Sequence, residues 1–116
     1  MIEMGELENL VGHLQMQNQQ LQAVMMQKQA LSMQSREIEK ALEHLEGASD
    51  EVYRTVGPIL VKVEAEKVKK QLEDDKEEID LKLKTLESQE KKMKDRLKES
   101  QEKIQGMMPT GTGQGG

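Results

Sequence analysis

Cysteine, tryptophan and phenylalanine are all missing from the chain, and the sole aromatic residue is Tyr53. Without cysteine, neither a disulfide framework nor a thiolate metal site can form, and a reducing compartment is compatible with the composition. One aromatic ring and a hydrophobic fraction of 34% are too little for a compact core in 116 residues, so the apolar side chains are expected in seams. Basic charge is not in excess either. The net charge is −5 and the pI about 5.1, and Lys67, Lys69, Lys70, Lys91, Lys92 and Lys94 are interleaved with acids, which speaks against nucleic acid as a partner. No apolar run approaches the roughly 18 residues of a membrane span. The opening Met1-Ile2-Glu3-Met4-Gly5-Glu6 is acidic and does not read as a signal peptide. A soluble, cytoplasmic chain without membrane partners is the expectation.

What is present is Glu, Lys and Gln in heptad order. Leu7, Leu14, Leu21, Lys28, Ser35 and Leu42 fall at a positions, and Leu10, Gln17, Val24, Leu31, Ile38 and Leu45 at d positions, so nine of twelve are apolar over six heptads. This predicts a first coiled-coil helix over 1–46, with Gly47 as a left-handed residue ending it. Its middle part, Gln15 to Gln34, is mostly Gln and Met with little charge, a solvated face that is also able to meet other surfaces. A second helix over 66–106 has the seam Leu72, Lys76, Ile79, Leu83, Leu86, Glu90, Met93, Leu97, Ser100 and Ile104. Acid-before-base pairs four residues apart, such as Glu78/Lys82, Asp80/Lys84 and Glu90/Lys94, add about 0.2–0.5 kcal/mol each. Forty residues of helix make an arm about 60 Å long. The Gly-rich stretch 107–116 is expected to be a disordered tail.

Between the helices lies Val52-Tyr53-Arg54-Thr55-Val56-Gly57-Pro58-Ile59-Leu60-Val61-Lys62-Val63, rich in β-branched residues and broken by a Gly-Pro turn. It predicts a β-hairpin within 47–65. The fold class is therefore mainly α: a long antiparallel coiled-coil hairpin with a short β-hairpin at its bend. An isolated two-stranded hairpin is marginal in water and leaves both edges unpaired, so strands this apolar imply further strands from other subunits. Val52, Tyr53, Val56, Ile59, Leu60, Val61 and Val63 are the candidate oligomerisation residues.

This block, set between a Gln-rich first helix and a Lys/Glu-rich second one, resembles the β-class subunits of prefoldin, most like the archaeal form. The resemblance implies a hexamer of two α-class and four β-class subunits joined through an intersubunit β-barrel. It also implies ATP-independent capture of unfolded proteins at the arm tips and their delivery to a group II chaperonin. The tips would be the chain's two ends. There the candidate client-binding residues are Met1, Ile2, Met4, Leu7, Leu10 and Val11 at one terminus and Leu97, Ile104, Met107 and Met108 at the other. Methionine is flexible and polarizable, which suits varied apolar partners. Leu7, Leu10, Leu97 and Ile104 also read as closing the seam, whereas Met1, Ile2, Met4, Met107 and Met108 lie beyond its last good layer.

An enzyme is not expected, and no cofactor or metal is implied. His13 and His44 lie about 46 Å apart along one helix, too far to share a metal. Gly111-Thr112-Gly113 lacks the lysine and following helix of a phosphate loop. The alternative to a chaperone subunit is a coiled-coil scaffold or spacer that binds no client.

Overall fold

The computed structural model describes residues 4–48 and 50–108. Its elements run α1 (Met4–Glu46), β1 (Glu51–Val56), β2 (Ile59–Glu64) and α2 (Ala65–Met107). Both helices are built from strong helix formers, Leu, Met, Gln, Glu, Lys and Ala, with no proline inside either. Met1 and Ile2, and all but the first two residues of the expected tail, lie outside the described residues. Met107 is the last helical residue, so α2 continues into the stretch 107–116 assigned to the tail.

Gly47 follows α1 as expected but does not enter the left-handed region, which among the described glycines only Gly57 occupies. The end of α1 is instead tightened by a short-range bond in which the Ala48 N–H donates to the Leu45 carbonyl at 3.1 Å. At the start of α2, the Ala65 N–H donates to the Asp50 carbonyl at 2.8 Å. That bond satisfies one of the helix's orphan donors with the residue just before β1.

The chain divides into two compact units, a terminal unit of Met1–Met26 with Leu86–Gly116 and a hairpin unit of Gln27–Thr85. Within the terminal unit Leu21, Val24, Leu86 and Ile104 are buried. Leu7, Leu10, Leu14, Gln17, Glu90, Met93, Leu97 and Ser100 are half-buried beside them. Each sits at its predicted heptad position. Met107 is half-buried too, three residues past Ile104, so the seam extends one position further than its last predicted member.

In the hairpin unit α1 and α2 meet through a polar cluster as well as through Leu31, Ile38, Leu42, Leu72, Ile79 and Leu83, all half-buried. Ser35, buried at an a position, donates through Oγ to Asp80 Oδ1 at 3.0 Å. Lys76 Nζ lies 2.8 Å from Asp80 Oδ2 and 3.3 Å from Glu39 Oε1. Asp80 thus turns back to Lys76 rather than forward to Lys84, while Glu78–Lys82 closes at 3.6 Å as expected. In the terminal unit Glu90–Lys94 also closes, at 3.5 Å. The hydrogen bond from Lys76, and then that from Ser35, holds the Asp80 carboxyl below its ordinary value of 3.8. The same bond to Asp80 is the main reason the Lys76 ammonium lies above 10.5.

A carboxylate with a lowered pKa adds stability that is complete above its unfolded value and disappears as pH falls through the folded one. Asp80→Asn is therefore expected to melt below the wild type at neutral pH, with the gap closing as the pH drops below about 3.8. Circular-dichroism melts of both proteins across that range would check it. A gap that persists undiminished at pH 2 would place the stabilisation somewhere other than the Asp80 charge.

Candidate functional site

The hairpin pairs in full register from Glu51↔Glu64 through Val52↔Val63, Tyr53↔Lys62, Arg54↔Val61 and Thr55↔Leu60 to Val56↔Ile59. Gly57 and Pro58 form the two-residue turn. Gly57 has φ 56°, and Pro58 carries the fixed negative φ of its ring, which is the sign pattern of a type II′ hairpin turn. The proline thus sits where it donates to no ladder bond, and pairing continues right up to it.

Directly paired residues share a face. Val52, Val56, Ile59, Val61 and Val63 therefore fall on one side of the ribbon together with Arg54, while Tyr53, Leu60, Thr55, Lys62 and the two glutamates fall on the other. Only Val52 and Val63, at the base, are half-buried. Tyr53 and Leu60 are 67% and 69% exposed, and Val56, Ile59 and Val61 are exposed on the opposite face. A ribbon with apolar side chains open on both faces cannot be a sheet with one wet side. Its outer edges have no strand partner among the described residues, since the sheet has two strands only.

Two polar contacts hold this surface. Arg54 Nη1 donates to Gln71 Oε1 at 3.0 Å, tying β1 to α2, and Lys62 pairs with Glu51 at 3.2 Å across the two strands. Sequence reading missed Arg54 as a positioning residue. The alternation Val52, Arg54, Val56 was the available signal, because a charge in an apolar row needs a partner.

The second set of candidate residues lies in the terminal unit. Met4 is 70% exposed and Met108 is also exposed, whereas Leu7, Leu10, Val11, Leu97 and Met107 are half-buried. Ile104 is only 7% exposed, so it is a seam residue with little surface to offer. Met1 and Ile2 lie outside the described residues. Among the described residues no group of three His, Asp or Glu side chains is placed to hold a metal ion, and no helix is long and apolar enough to cross a membrane.

Two long helices joined through an apolar, edge-exposed β-hairpin define a class of coiled-coil assembly subunit. A family model described as "Prefoldin subunit" matches residues 8–110. The prefoldin subunit beta of Archaeoglobus fulgidus is 43% identical over 111 residues, covering 90% of this chain and 96% of that protein. The prefoldin subunit beta of Pyrococcus furiosus is 35% identical over 105 residues, covering 89% and 90%. The crystal structure of the prefoldin beta subunit from Thermococcus strain KS-1 superposes with a TM-score of 0.80 at 36% identity, over 90% of this chain and 95% of that one. The chain belongs to the prefoldin subunit family, with archaeal β subunits among its relatives, and so to a group of chaperone subunits that work in an oligomeric complex.

Gly57→Ala is expected to destabilise the hairpin by about 1–2 kcal/mol, because a Cβ at positive φ crowds its own backbone. Space is not the issue, since nothing lies within 4 Å of where that Cβ would stand. Urea unfolding of the two proteins would measure the difference. Equal midpoints would mean that the turn relaxes to another conformation at no cost.

Proposed function

We propose that this chain is a β-class subunit of a cytoplasmic prefoldin hexamer that captures unfolded proteins without ATP and delivers them to a group II chaperonin. Two α-class and four β-class subunits join through their hairpins into a β-barrel, and the helix ends hold the client. The observation that carries the assembly half is the hairpin: Tyr53, Val56, Ile59, Leu60 and Val61 are exposed on a ribbon with both edges open. Strands of this kind aggregate unless something pairs with them. Val52 and Val63 complete the candidate interface at its half-buried base.

Support for the capture half comes from the ends. Met4 and Met108 present flexible thioethers to solvent, and Leu7, Leu10, Val11, Leu97 and Met107 add partly open apolar surface next to the seam. Met1 and Ile2 extend the same composition. Ile104 contributes by holding the helices together. Each contact is worth about 1–2 kcal/mol on partial burial, and several arms acting at once multiply the effect. No step needs a nucleotide or a metal.

The assembly prediction concerns Val56 and Ile59, which face each other beside the turn. Changing both to lysine is expected to reduce the mass of the mixture with the α-class partner from hexamer to smaller species, read by multi-angle light scattering, while helix content stays constant. A hexamer that persists in the double-lysine variant would remove these residues from the interface.

Client capture is tested by diluting guanidinium-unfolded lysozyme into nucleotide-free buffer with the assembled complex and following light scattering. Suppression at near-stoichiometric amounts is expected, and Met4→Gln with Met108→Gln should weaken it about three- to tenfold at unchanged mass. An intact complex that fails to suppress aggregation would leave a coiled-coil scaffold that binds no client.

A further inference from the structure

Past Glu8, the side of α1 turned away from the seam in the terminal unit carries no carboxylate, lysine or arginine. From Asn9 to Gln27 there is no Asp, Glu, Lys or Arg, and the heptad positions opposite the seam are Gly12, Met16, Gln19, Ala23 and Met26, all exposed. Met26 is 71% and Met16 56% exposed, Met25 is exposed beside them, and the space over Gly12 is open. The outward side of α2 in the same unit is the reverse, with Lys91, Lys92, Lys94, Asp95, Lys98 and Glu99 all exposed. A helix side that faces only water ordinarily carries such charges.

We propose that this face is a second client-contact surface, taking an extended, uncharged stretch of an unfolded polypeptide. The proposal rests on the client-capture reading above and adds to the helix ends a site along the helix. Three features select this occupant over a partner helix. A helix docked in fixed register needs an unbroken apolar stripe and charged flanks to set partner and orientation, whereas Gln19 interrupts this stripe and its flanks are neutral. Contact with a surface free of ions strips water from no charge, which favours a segment that brings none. An unfolded segment exposes unpaired N–H and C=O groups, and the amides of Gln15, Asn18, Gln19 and Gln22 offer donors and acceptors of the same kind. Methionine then supplies apolar contact of adjustable shape.

The test uses the complete complex with its α-class partner and, as probe, fluorescent, reduced and carboxymethylated α-lactalbumin, which stays unfolded. Met16→Gln, Met25→Gln and Met26→Gln together keep good helix formers outside the seam, so melting temperature and hexamer mass are expected to hold. Probe affinity by anisotropy is expected to fall about fivefold. Benzoylphenylalanine in place of Met26 is expected to crosslink to the probe on illumination, and in place of Lys98 it is not. Affinity within about twofold of wild type and no crosslink from position 26 would overturn the inference while leaving capture at the helix ends intact. Should the wild-type complex neither bind the probe nor suppress aggregation, the capture reading falls and this surface with it. If the triple variant melts early, the crosslinks decide by themselves.

Discussion

A single pairing register, set where Gly57 and Pro58 turn the chain, constrains the whole hairpin unit. The residue numbers of partners add to the same total in every strand pair from Val56↔Ile59 to Glu51↔Glu64, in the Asp50–Ala65 bond, in Glu39–Lys76 and in Ser35–Asp80. The ladder therefore passes into the paired helices with no residue gained or lost. A slip of one residue in the hairpin would exchange its two faces. In the helices it would carry Ser35 away from Asp80 and Lys76 away from Glu39, leaving a buried hydroxyl without its acceptor, a loss that costs more than the bond itself contributes.

This explains polar residues in a seam that aliphatic ones would fill more tightly. Leucine at Ser35 and Lys76 would add burial but accept several registers, whereas a polar group with one partner across the seam, Asp80 for Ser35 and Glu39 for Lys76, accepts one. The hairpin needs that precision because its own ladder has only two strands and cannot hold itself in water. Arg54 strengthens the link by bonding Gln71 on α2. The apolar faces of the hairpin are thereby held in place while exposed.

Most of this was legible in the sequence because heptad periodicity is a strong and local signal. All twelve a and d positions of α1 and all ten seam positions of α2 are buried or half-buried, the polar ones included. The strands and their turn were equally readable from β-branched density around Gly57-Pro58. What escaped was decided by geometry between elements. Gly47 was read as left-handed from its place just past Leu45, the last seam residue, yet a bond from Ala48 to Leu45 ends the helix without that conformation. Asp80 was assigned to Lys84 by helix spacing, but its direct bonds go to Lys76 and to Ser35 on the other helix, and Lys84 acts on it only through its charge. Among the end residues, pattern could not separate Ile104, closed into the seam, from Met4, open to solvent, because both are simply apolar and near a terminus.

The two helices divide their tasks by composition. Exposed acids and bases on α2 keep its outer side hydrated, with Glu78–Lys82 closing along the helix. Between Asn9 and Gln27, α1 has no such pairs and relies on intrinsic propensity and on Leu21 and Val24 in the seam. Uniform charge on both would have hydrated every outer side equally. Keeping this stretch of α1 neutral sets an uncharged side beside a charged one, while the acidic excess of the chain as a whole opposes non-specific association. A neutral, methionine-bearing face can then remain exposed beside a strongly hydrated one, available to a partner that has no charge to match.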